Sequence, residues 1–221
     1  MSTESSYRGR IVQVQGTHWH AKYTVRVPDN GLSWGQWLED HGYHDREFEV
    51  SEEDGGPFLT IGDWVEVRGA HIERLPPTVC LPELVPWEDD DWRGSYYEGG
   101  PGAWHLRFAD PPWLDAWMKE AQVGLVLTEA LAADPALSGR WTNLMMCSCW
   151  ESGCGSLFAR VDYDAVADRV IWSSLSTATD HPGELGPALA IPAERLRALS
   201  AYADAHPAAR PNGDRDRKSV V

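Results

Sequence analysis

The chain has 221 residues and a formal net charge of −15, from 34 acidic and 19 basic side chains. A field of this sign repels nucleic acid backbones and anionic lipids, and it speeds association with a basic protein. No apolar run is long enough to cross a bilayer, and the amino terminus lacks the apolar core segment of a signal peptide. We therefore predict a cytoplasmic protein that binds neither nucleic acid nor membranes.

The predicted fold class is α+β, with a flexible amino terminus at 1–8 and a strand-rich domain at 9–84. The clearest strand signal is the alternation of Ala21, Tyr23, Val25 and Val27 with polar residues. Further strands are predicted at 11–15, 48–50, 58–61 and 64–68, with a turn at 62–63 and a short helix at 33–42. Several short strands with one short helix are typical of a small barrel or a curled sheet.

The segment 85–103 is rich in Trp, Gly, Pro and acidic residues and has little periodicity. It has two interpretations, an interdomain linker or a recognition loop. Aromatic side chains anchor interfaces, and carboxylates bind Arg and Lys, so the second interpretation predicts a basic protein as the partner. The predicted binding residues are Trp87, Glu88, Asp89, Asp90, Asp91 and Trp92.

Residues 104–205 are predicted to form an α+β domain with two to three helices, followed by a disordered tail at 206–221. A strand at 104–108 precedes a helix over 110–123, whose apolar stripe includes Leu114 and Met118. The segment 125–137 carries both strand and helix signals.

An antiparallel meander and a last helix complete this predicted domain. Leu157, Ala159 and Val161 alternate with polar or exposed positions, which indicates a half-buried strand, and a further strand is expected at 170–172. The last helix follows Pro192 and turns Leu196 toward the core.

Three of the four cysteines, Cys147, Cys149 and Cys154, lie in one short stretch. In an extended segment the first two sulfurs share a face, and the turn signal that follows returns the third toward them. With Cys80 they could form a tetrahedral structural zinc site, in which His105 or His181 are alternatives to Cys80. The other interpretations are reduced thiols that pack as small hydrophobes, and a disulfide or redox pair.

The sequence contains no catalytic signature: it has no nucleophile elbow, phosphate-binding loop or His-Glu-x-x-His motif. It therefore favours a non-catalytic acidic binding protein, for example an immunity-type antagonist of a basic protein. One alternative is a metal-dependent enzyme that uses His18 and His20, with His41 and His44 nearby. Another is a carbohydrate or small-ligand binder that uses some of the 12 tryptophans.

Overall fold

The computed structural model describes residues 6–17, 20–28, 43–50, 58–86, 104–111, 114–115, 118, 123–126, 128–147, 156–177, 183 and 185–206. These residues form a five-stranded sheet, a six-stranded sheet and a two-stranded ribbon. In the described part of the chain, no helix is long and apolar enough to span a membrane.

The five-stranded sheet is antiparallel throughout and has the order β3-β2-β1-β4-β5. Its strands are β1 (Ser6–Thr17), β2 (His20–Pro28), β3 (Tyr43–Val50), β4 (Trp64–Arg68) and β5 (His71–Arg74). The predicted alternation in β2 is confirmed, because Tyr23 and Val25 are buried whereas Lys22 and Thr24 are half-buried. Val65 and Val67 of β4 pack on the same apolar core.

This sheet is open, so the predicted small barrel is not formed by the described strands: β3 and β5 are its edges. The predicted strand at 58–61 is also wrong. The carboxylate of Asp63 accepts hydrogen bonds from the backbone N–H of Thr60 at 2.7 Å and from its hydroxyl at 3.1 Å, which closes a local turn. Phe58 and Ile61 are exposed beside this turn, and β4 pairs instead with β5.

The six-stranded sheet has the order β6-β13-β12-β11-β10-β9. Its strands are β6 (Thr78–Val79), β9 (Val123–Val126), β10 (Arg140–Cys147), β11 (Ser156–Asp164), β12 (Arg169–Ser176) and β13 (Leu189–Pro192). Only β6 runs parallel to its neighbour. The predicted meander is thus present as β10, β11 and β12, and β6 joins this sheet although 78–79 fall inside the predicted first domain.

The ribbon consists of β7 (Glu83–Pro86) and β8 (Trp104–Arg107), and helix α1 (Ala193–Ala205) follows β13. Short 3-10 helices lie at Thr128–Leu131 and Pro135–Leu137. The core beneath the sheet contains the fully buried Trp172, whose ring meets Phe108 edge-on at 6.1 Å between centroids, and Leu196 of α1. The predicted last helix and its buried face are confirmed.

The structure describes the other two predicted helices, at 110–123 and 33–42, only in part or not at all. Of the predicted helix at 110–123, the structure describes Leu114, Asp115 and Met118 as helical, and Leu114 and Met118 are buried as expected. Strand β9 begins at Val123 and includes Gly124, where that helix was expected to end. The predicted helix at 33–42 lies outside the described residues. One complete α-helix, α1, is therefore present in the described part of the chain, rather than the two to three predicted for 104–205.

The two sheets meet at a close backbone contact. The indole N–H of Trp64, in β4, donates a buried 2.8 Å hydrogen bond to the carbonyl of Gly183. Gly183 has φ +75°, and a Cβ placed there would lie 2.2 Å from the carbonyl oxygen of Gly62. Only a glycine allows both this conformation and this approach.

Candidate functional site

The β7–β8 ribbon is the described element from which the predicted binding residues emerge. Its register pairs Glu83 with Arg107 and Pro86 with Trp104. Opposite residues in an antiparallel pair have Cα atoms about 5 Å apart, so the segment 87–103 leaves the ribbon and returns to it at neighbouring positions. Trp87, Glu88, Asp89, Asp90, Asp91 and Trp92 all belong to that segment and lie outside the described residues.

The ribbon is fixed to the protein on its inner side. Leu106 is fully buried and Leu84 packs against the same core. On the other side, the guanidinium of Arg107 lies 2.8 Å from the carboxylate of Glu83 and holds the pKa of that carboxyl below its usual range. Because both side chains are half exposed, this ion pair contributes little to stability. A further contact holds the ribbon near α1: the Nε of Arg195 donates a hydrogen bond to the carbonyl of Pro82 at 2.8 Å.

An aromatic cluster of Trp104, Tyr202 and His206 lies where β8 begins. The Trp104 and Tyr202 rings meet edge-on at 5.3 Å, and the Tyr202 ring stacks on the His206 imidazole at 4.3 Å. The indole N–H of Trp104 donates to the backbone carbonyl of His206 at 3.3 Å. The end of α1 therefore supports the base of segment 87–103 at Trp104.

No local sequence pattern predicted this cluster. The four-residue spacing of Tyr202 and His206 on a helix is a local signal that could have revealed their stacking. The contact of both with Trp104 joins positions about a hundred residues apart, and no local pattern reports such a contact.

The structure places the predicted zinc ligands only in part. The backbone of Cys147 ends β10 opposite Val123, whereas Cys149 and Cys154 lie outside the described residues. Cys80 is buried in the core of the six-stranded sheet, and its backbone N–H donates to the carbonyl of Ala190. Burial, aided by the charge of Asp110, raises the pKa of the Cys80 thiol to about 12.

A zinc ligand must be a thiolate, so zinc binding at Cys80 would require the loss of its proton. The described residues contain no group of three His, Cys, Asp or Glu side chains that could hold a metal ion. Cys80 itself packs in the apolar core of the six-stranded sheet. The zinc site at Cys147, Cys149, Cys154 and Cys80 stays a prediction.

The histidines proposed for a metal-dependent enzyme are also only partly described. His18, His41 and the side chain of His20 lie outside the described part of the structure. His44 is exposed on β3, where its Nε2 is 2.9 Å from the Nε of Arg46. That nitrogen must accept the guanidinium hydrogen bond, so its lone pair is already engaged. The enzyme hypothesis therefore continues to rest on His18 and His20.

Comparison with known proteins adds no family to this description. No protein-family model, curated protein or solved structure matches the chain significantly.

Proposed function

We propose that this chain is a cytoplasmic, non-catalytic binding protein whose acidic, tryptophan-flanked segment 87–103 captures a basic protein. The pairing of Pro86 with Trp104 carries the proposal, because it makes the segment a loop that closes a hairpin. A linker between two separate domains would instead leave its two ends apart. Loops of this length on a fixed base commonly serve recognition, so the pairing supports the recognition loop over the linker.

The loop carries an excess of negative charge. The part of the chain that the structure describes includes 16 acidic and 13 basic residues. Many of its carboxylates are paired with arginine, as in the bidentate contact of Asp45 with Arg26. Segment 87–103, by contrast, holds five acidic residues and one arginine. Its surplus of carboxylates suits a partner that presents Arg and Lys.

The concrete form that we propose is an antagonist of a basic protein, such as the immunity partner of a toxin. Tryptophans beside carboxylates combine an apolar anchor with charge complementarity, and this combination gives tight and specific interfaces. Such an antagonist needs no reaction chemistry of its own. The chain would act by covering the basic surface of its partner.

A comparison of three baits tests the proposal. The first is the wild-type protein, and the second carries E88Q, D89N, D90N and D91N. The third is a control with the same loss of four charges at other positions, E39Q, D40N, E52Q and E53Q. Each bait is immobilised and exposed to lysate of the source cell, and retained proteins are identified by mass spectrometry at low and at moderate salt.

We expect a basic protein that the wild type and the control retain and that the loop variant loses. Retention should weaken as salt rises, because surface charges are screened. Equal recovery on the loop variant and the wild type, or recovery of no basic protein, would refute the proposal. Equal loss on the loop variant and the control would assign the binding to overall charge instead of the loop.

A further inference from the structure

We draw no further inference here: the strongest candidate, the acidic outer edge of strand β3, carries nothing, because Asp45 and Glu47 are already paired with Arg26 and Lys22 of β2 and nothing in the structure shows what covers this edge.

Discussion

Gly183→Ala tests the contact that joins the two sheets, and Gly139→Ala is its matched control. Both glycines have nearly the same left-handed backbone, with φ +75° at Gly183 and +77° at Gly139. A Cβ at Gly139 would find its nearest atom, the end of a flexible arginine side chain, at 4.0 Å. A Cβ at Gly183 would lie 2.2 Å from the backbone oxygen of Gly62. The two substitutions thus differ in the clash and share the backbone strain.

The backbone strain alone predicts about 1 kcal/mol for Gly139→Ala, because the left-handed conformation costs an L-residue about 1–2 kcal/mol and alanine restricts the unfolded chain. Gly183→Ala must also separate the chain from Gly62 and lose the hydrogen bond from the indole of Trp64. Leaving that buried donor unpaired adds about 1–3 kcal/mol, and the displaced packing adds more. We therefore expect a total of about 3–5 kcal/mol.

Urea unfolding followed by tryptophan fluorescence measures both changes in the free energy of unfolding. Trp64→Phe removes the indole donor, so the double variant with Gly183→Ala should lose less stability than the sum of the two single variants. Equal costs for Gly183→Ala and Gly139→Ala, within about 0.5 kcal/mol, would show that the Gly62–Gly183 contact does not hold the sheets together.

Three further predictions concern single side chains. Because the pKa of Cys80 rises from 9.0 to about 12 on folding, its stabilising contribution is present below pH 9 and is lost as the pH rises toward 12. Between pH 8 and 10 the wild type should lose about 1.4 kcal/mol more unfolding free energy than Cys80→Ala, and parallel pH profiles would contradict this. The hydrogen bond from Arg68 lowers the pKa of Glu66. The stability advantage of the wild type over Glu66→Gln should therefore be present at neutral pH and disappear as the pH falls below about 4.5. An advantage that persists in acid would contradict this prediction. Trp104→Ala should lower the free energy of unfolding in urea by about 1–2 kcal/mol, whereas Tyr202→Phe, which keeps the ring contact, should lower it little. A similar loss for both variants would argue against the aromatic cluster.

The local sequence pattern was sufficient to predict an element where one face of that element is buried. The alternation around Tyr23 and around Ala159 reports burial directly, and both strands are where the sequence predicts them. The last helix was also predictable, since Pro192 precedes it and Leu196 lies on its buried face. In these elements, the neighbours along the chain carry the information.

Pairing between distant segments was not predictable. The parallel pairing of β6 with β13 joins residues more than a hundred positions apart, and two residues of strand carry almost no periodic signal. The strand predicted at 58–61 failed for a different reason, because the side chain of Asp63 closes a turn that competes with the sheet. Of the two predicted architectures, a small barrel or a curled sheet, the described strands do not form the barrel, because none of them joins β3 to β5.

The candidate binding segment was likewise predictable only in part. Composition alone indicated an acidic aromatic segment at 87–103, but only the pairing of Pro86 with Trp104 shows that its ends meet.

The affinity of the basic partner for the loop is the most direct measurement of the central claim. The partner recovered on the wild-type bait is purified and titrated by calorimetry into the wild type, the E88Q/D89N/D90N/D91N variant and the E39Q/D40N/E52Q/E53Q control. The account predicts about hundredfold weaker binding to the loop variant and a change of about twofold for the control, because charges inside an interface count more than charges elsewhere. Equal affinities for the loop variant and the wild type would contradict it.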